Sequence, residues 1–328
     1  MRTTVKKYLI GILGNILFLK INWHFPFDLI STILLFVIMQ AVYGMERMMG
    51  RPNNPLKKIL NYASKEYLHQ LDLWYILTVM GKDEKTGEIV MRGLYIGNDI
   101  ECYNSACELS LKVNFTMLNT SPKKIVVNLG DSYHSTWLGN KAIYRTRMSV
   151  ADDGEIIILA PGVSQFGEDA EIDKLIRKHG YIGTPAILKA METSKDLEDN
   201  LSAVAHLIHG SSEGRFKVIY CTGGLTQSEI ESVGYEFGHL KEMKKIYNTD
   251  ILQDGWNYEI NEKGIKSEFY YISNPALGLW AVQDRFENEK KKNDTLIQQS
   301  NKTVKKYVTP NPIHLSGGVG GWGEPTHE

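Results

Sequence analysis

Cysteine is scarce: Cys102, Cys107 and Cys221 are the only three in 328 residues. An odd number without metal-ligand spacing excludes both a disulfide framework and a local zinc site, and a reducing cytoplasm is the expected compartment. An excess of charge is absent too. Lys plus Arg number 37 and Asp plus Glu 38, so no basic surface able to follow a nucleic-acid backbone is expected. Long apolar runs are missing. Near the N-terminus Tyr8–Leu19 and Leu29–Tyr43 are apolar, but each is shorter than the ~20 residues of a spanning helix. Arg2, Lys6 and Lys7 before the first run fit a signal peptide, yet Lys20, Asn22, Trp23 and His24 stand where its small-residue cleavage site would lie. The segment then reads as buried elements or as residues foreign to the natural fold, with a membrane tether as the third reading. No internal repeat is visible. Gly223-Gly224 lacks the G-x-G-x-x-G spacing of a dinucleotide fingerprint.

What is present is an ordinary core composition, 43% hydrophobic and 23% charged, enough for one large or two modest α/β domains. Leu73–Met80 and Glu88–Ile96 read as a hairpin, and Asn98 or Asp99 caps a following helix through Ala106 to Val113. Turn residues crowd Asn114–Pro122, an expected domain boundary. Beyond it strands and helices alternate. Strands are expected at 123–129, Glu155–Ala160, Phe216–Tyr220 and Glu268–Ile272, and helices at Thr136–Val150, Asp169–Lys178, Pro185–Glu192 and Asp199–His209. Thr226-Gln227-Ser228-Glu229 carries the capping-box pattern. The fold class is therefore α/β: a partial N-terminal α/β region, then a doubly wound, mainly parallel C-terminal sheet. The expected division is an atypical apolar segment 1–43, a helix–hairpin–helix region 44–118, the main α/β domain 119–286, and a polar helix with a Gly-rich tail, 287–328.

In an open parallel sheet, ligands lie beyond the carboxyl ends of the strands. The four expected strands end in Gly130–Arg147, Ala160–Glu168, Cys221–Gly224 and Ser273–Gly278. His134 sits in the first of these, with Lys141 and Arg145 four apart on one expected helix face. Two cations facing one way call for an anion between them, or for pairing with Asp131, Asp152 or Asp153. His206 and His209 are three apart on another helix. They read as a metal pair lacking a third ligand, or as hydrogen-bonded core residues. Ser211, after Gly210, ends that helix or holds a carboxylate.

The runs Ile176–Tyr181, Gly183-Thr184-Pro185, Asp199–Ala203, His206–Phe216 and Glu229–Tyr235 resemble the C-terminal domain of the lactate-racemase-like family of nickel-pincer 2-hydroxy-acid racemases and epimerases. Gly50–Pro55 resembles that family's Gly-Asn-Pro turn before a helix and hairpin. The likeness covers about Gly44 to Phe286 and leans towards the sugar-acid branch, such as D-mannonate epimerases. It implies an isomerase acting on a small anionic 2-hydroxy acid or sugar acid. Trp137–Lys141 falls where the family carries an aromatic and a lysine that contact the substrate. Lys141 is then the expected catalytic residue. Trp137, Arg145, His134, His206, His209 and Ser211 are the expected substrate-binding residues, and no metal ligand is assigned.

In the family a nickel-pincer nucleotide, tethered to a lysine of the N-terminal domain, removes hydride from C2 while a histidine takes the hydroxyl proton. This chain departs from that pattern. Leu34–Gln40 contains no histidine where the metal ligand is expected, His24 lies too far away, and Lys20 does not match the tether. The chain is therefore expected to bind no cofactor and to be an incomplete, inactive member. Trp137 stands where others often have tyrosine, and Leu201 replaces a tryptophan, which leaves room for a substrate other than lactate. The competing readings are a non-catalytic anion-binding α/β module and a membrane-tethered protein.

Overall fold

The computed structural model describes residues 43–67, 74–83, 86–260 and 264–289. The expectations for 1–42 and for the tail beyond 289 fall outside them. Helices α1 (Met45–Met48) and α2 (Pro55–Tyr67) lead into a hairpin of β1 (Tyr75–Lys82) and β2 (Ile89–Gly97). The strands pair antiparallel with a slip of register at Val79/Met80. Helix α3 (Ile100–Asn114) opens on Asp99, whose carboxylate accepts from the Cys102 amide at 2.9 Å. It buries Ala106 against Leu77 and Val79 of the hairpin.

The expected boundary at Asn114–Pro122 is not all turn. Helix α3 runs into β3 (Phe115–Leu118) without a break. Four residues with a single buried side chain are too short and too weakly alternating to be recognised as a strand without their partner.

The main sheet begins with β4 (Lys124–Asn128), buried on both faces. The helix expected over Thr136–Val150 is instead two single turns, α4 (Thr136–Gly139) and α5 (Lys141–Tyr144), followed by irregular chain. Asn140 ends the first and opens the second. Its amide donates to the Tyr235 hydroxyl at 3.0 Å, a tertiary bond that overrides helical continuity. Then come β5 (Gly154–Ala160), α6 (Ala170–His179), α7 (Thr184–Met191), α8 (Lys195–Asp199), α9 (Leu201–His209) and β6 (Phe216–Thr222). The helix expected at Asp199–His209 is present as α9, opening two residues later at Leu201, where the Asn200 side chain caps it by accepting from the Ala203 amide. Thr226 and Glu229 form the expected capping box at α10 (Gln227–Ser232). The chain continues through β7 (Glu236–Phe237), α11 (Leu240–Ile246), β8 (Gly255–Ile260), β9 (Lys266–Ile272), a 3-10 turn Pro275–Leu277 and β10 (Leu279–Val282).

The six-stranded sheet has the order β7-β6-β5-β4-β9-β8. All its neighbours are parallel except β8, which runs antiparallel to β9 along one edge. The architecture is thus α/β, mainly parallel and doubly wound. Alternate residues feed two cores. Ile125, Val127, Ile156, Ile158 and Tyr220 face the layer of α6, α7, α9 and α10. Val126, Ile157, Leu159 and Cys221 face Tyr247 and the α11 side. From β4 the chain winds outward to β5, β6 and β7, then returns to lay β9 on β4's other side. The switch of winding direction lies between β4 and β9, where connections leave in opposite directions and open a crevice. Strand β10 pairs in parallel with β3 as a separate two-stranded sheet.

Candidate functional site: a cation pair at the sheet's switch point

The loop after β4 carries Tyr133 and His134 into α4 and α5, while the loop after β9 carries Ser273–Gly278. Arg145 joins the two. Its guanidinium is buried, with 5% of its surface exposed. It donates to the carbonyls of Gly278 at 3.0 Å and Ala276 at 3.5 Å. Asn274 and Asp254 stiffen this second loop through the amides of Ala276 and Ser273. The Nε of Arg145 is buried without a hydrogen-bond partner.

Lys141, one turn earlier, is half-buried, and its ammonium lies 5.7 Å from the centre of the Tyr133 ring. Burial, then the neighbouring Arg145 charge, holds its pKa below the ordinary lysine value. Among the described residues no carboxylate pairs with Lys141 or Arg145 within 4.0 Å. The alternative partners do not serve: Asp152 is engaged by Arg215 and Arg285, and neither Asp131 nor Asp153 reaches either cation. Tyr144 stands beside Arg145, their centres 5.9 Å apart; its pKa is raised by burial and drawn back by that charge. A buried guanidinium and a half-buried ammonium without a counter-charge are costly unless an anion joins them.

The other expected residues are placed differently. His134 is exposed, and its carbonyl accepts from the Ser164 amide. Trp137 stacks on His206 with centroids 4.5 Å apart. His206 is buried and shares a 2.8 Å hydrogen bond with the Tyr181 hydroxyl, which also meets Thr136 at 2.9 Å. Tyr181 in turn stacks on Tyr235 at 4.4 Å. Burial, with a smaller contribution from His209, pushes His206 down to about 3. His209 is partly buried and is pushed down to about 4 by burial and by Arg147. Ser211 is buried and accepts from the Glu213 amide. Glu213 caps α7 through the amide and hydroxyl of Thr184, so the Ser211 turn serves a neighbouring helix.

The structure thus brings Lys141 together with Arg145, and Trp137 together with His206. Tyr133, Tyr144 and the Ala276 and Gly278 carbonyls were not expected at the site. The tyrosines lie inside the polar run after β4, but nothing in spacing distinguishes them from core aromatics. Gly223 has a packing role: a Cβ there would sit 2.0 Å from the Pro161 carbonyl, so only glycine lets the loop after β6 lie against the loop after β5.

A second concavity, about 430 Å³, opens beyond β5 and is lined by Gln165, Glu168, Asp169, Asp173, Lys174 and Arg177. Asp173 there accepts from the Phe166 and Gly167 amides and pairs with Arg177, and Glu168 accepts from Ser135. Its charges are largely engaged with one another.

Comparison with known proteins bears on the fold. A protein from Thermotoga maritima of known crystal structure superposes with a TM-score of 0.60 at 22% identity, over 77% of this chain and 60% of that one. The two share a fold. The lactate racemase apoprotein from Thermoanaerobacterium thermosaccharolyticum aligns over 74% of this chain and 55% of its own, with 16% identity and a TM-score of 0.48. This chain therefore spans about 60% of the length of the Thermotoga maritima protein. No protein-family profile matches it, and no curated protein does.

Among the described residues no group of three or more His, Cys, Asp or Glu side chains is placed to hold a metal ion. With His206 tied to Tyr181, the described residues do not fit a nickel centre, and no chemical step is assigned through one.

Proposed function

We propose that the Lys141–Arg145 pair binds the carboxylate of a 2-hydroxy acid or sugar acid, in a fold of racemase and epimerase lineage. One observation carries this reading: two cations, one buried and one half-buried, share a turn at the switch point and have no carboxylate among the described residues. A carboxylate seated there gains charge-assisted hydrogen bonds of about 1.5–3 kcal/mol each. With a carboxylate so held, the ammonium would be available to polarise an oxygen on the adjacent carbon. The resemblance adds the reaction class, inversion at the hydroxyl-bearing carbon through hydride removal. The hydride acceptor would come from groups other than the described residues.

Titration with lactate, gluconate and mannonate, followed by NMR, tests the binding. Shifts are expected around Tyr133–Arg145 at about millimolar affinity, and Lys141→Ala should abolish them while the fold survives. Shifts that persist unchanged in that variant, or that never occur in the parent, overturn the reading.

A second reading, binding without turnover, is favoured by the histidines. His206 is committed to Tyr181, and burial keeps both His206 and His209 neutral well into acid. Polarimetry on a single stereoisomer of the bound acid separates the two: inversion at C2 supports the isomerase, and retained configuration beside intact binding supports the module. We further propose a cytoplasmic location, in keeping with three free cysteines. Among the described residues no helix is long and apolar enough to cross a membrane.

A further inference from the structure

Like charges sharing a turn repel, and burial strengthens the repulsion because water no longer screens it. Lys141 and Arg145 therefore need a frame that holds them in place. Arg145 has one: the carbonyls of Gly278 and Ala276 grip its guanidinium from the loop after β9. Lys141 takes its position from Asn140, the residue before it, where α4 ends and α5 begins. Two single turns are too short to keep their own line, so the joint between them sets where both cations stand. Asn140 is fully buried at that joint. Its amide donates to the Tyr235 hydroxyl at 3.0 Å, and that hydroxyl donates onward to the Gly210 carbonyl at 2.9 Å. The tyrosine's one proton is thus used, so it accepts from Asn140 and fixes which end of the amide faces it. The Tyr235 ring is itself clamped, stacked on Tyr181 at 4.4 Å and on Tyr220 at 5.5 Å. Glycines make the room: a Cβ at Gly210 would lie 2.4 Å from Asn140 Nδ2, and one at Gly139 2.4 Å from the Tyr220 hydroxyl.

We infer that Tyr235 is a positioning residue: through its bond to Asn140 it holds the joint between α4 and α5 so that Lys141 and Arg145 face one carboxylate together. The inference rests on the reading of that pair as the carboxylate site. Tyr235 acts from within the core, only 4% exposed, and from the chain between α10 and β7. Two other contacts hold the front of α4, the 2.9 Å bond of Thr136 to Tyr181 and the stack of Trp137 on His206. Both lie before the joint. With the Tyr235 hydroxyl gone, α4 stays seated while α5 is released. Repulsion then moves the ammonium outward to water, which relieves both the burial and the Arg145 charge that lower its pKa.

Tyr235→Phe tests this, since it removes one oxygen and keeps the stacked ring. Affinity for those of lactate, gluconate and mannonate that bind the parent should fall at least about tenfold. The Lys141 pKa, read without ligand from the NMR signal of its side chain and identified by its loss in Lys141→Ala, should rise towards the ordinary lysine value. Asn140→Ala, which leaves the Tyr235–Gly210 bond in place, should reproduce both changes, and the double variant should add nothing to the pKa rise. Tyr247→Phe is the structural control. It removes a buried tyrosine hydroxyl from the other face of the sheet, bonded to Glu259 at 2.6 Å, and should lower stability while leaving Lys141 as it is. An unchanged Lys141 pKa in folded Tyr235→Phe or Asn140→Ala, or an equal rise in Tyr247→Phe, overturns the inference. A parent that binds none of the three acids overturns the carboxylate reading, and the pKa comparison still decides by itself whether Tyr235 holds the pair.

Discussion

Lys141 and Arg145 were readable as a pair because four residues of spacing place two cations on one helical face even when the helix lasts a single turn. Their lack of a carboxylate was not readable, since Asp152 was an equal candidate until Arg215 and Arg285 were seen to engage it. A pH dependence follows. Anion binding needs the ammonium, so it is present below the Lys141 pKa and lost as pH rises through it. With that pKa lowered by burial and by Arg145, the alkaline loss should begin earlier than for an ordinary lysine. Arg145→Gln should move that limb to higher pH, which an NMR titration across pH 7–11 reads directly. His206 offers a second test. Its imidazole is neutral when folded, whereas in the unfolded chain it protonates near pH ~6.5. Stability is therefore undiminished above about that pH and falls as the medium is acidified towards about 3. His206→Gln should flatten this acid slope in thermal melts. His206→Ala should cost about 2–4 kcal/mol, because it leaves a cavity under Trp137 and removes one of the two partners of the Tyr181 hydroxyl, which keeps Thr136.

At the scale of elements, local chemistry wrote the caps into the sequence. Asp99 and Thr226 act where their side chains can reach an amide three residues on, so distant context was not needed. Asp99→Ala should cost about 1 kcal/mol by urea unfolding. The break at Asn140 was invisible. A partner far along the chain, Tyr235, takes that asparagine, and nothing in the apolar period marks the position. The hairpin was legible, but its distance from α3 was not. A Cβ at Gly81 would lie 2.1 Å from Val113 Cγ1, and one at Gly93 2.4 Å from Leu109 Cδ2. Val113 is short and stiff, so Gly81→Ala should destabilise by about 1–3 kcal/mol, with a smaller loss for Gly93→Ala, where Leu109 can change rotamer.

Across the molecule, the two ends of the described chain are fastened to the main sheet by shared charges. Glu46 of α1 accepts from both Arg147 and Arg215, and Asp152 accepts from Arg215 and Arg285. Arg51 reaches the Phe286 carbonyl at 2.8 Å. Arg147 is almost fully buried, so removing its carboxylate leaves a charge that water cannot reach. Glu46→Gln should cost about 2–3 kcal/mol, somewhat less than a fully buried pair. The loss should change little with added salt, because such pairs are poorly screened. A thermal melt at two ionic strengths checks both statements.

The sequence by itself determined the fold class, the central strands and the polar loops at their carboxyl ends. Each follows from apolar period, β-branched content and nearby turn residues, which are short-range properties. Tertiary structure decided the rest. Strands β3 and β10 exist only through each other, since each has four residues and too little local signal to stand alone. The antiparallel placement of β8 depended on pairing with β9 rather than on its own pattern of alternate exposed Trp256, Tyr258 and Ile260. His206 lies under Trp137 within the core because α9 packs against the α4 turn, a contact that no spacing along the chain encodes. The switch point lies beside Arg145 because β9 returns to the far side of β4, and strand order is fixed by long-range pairing.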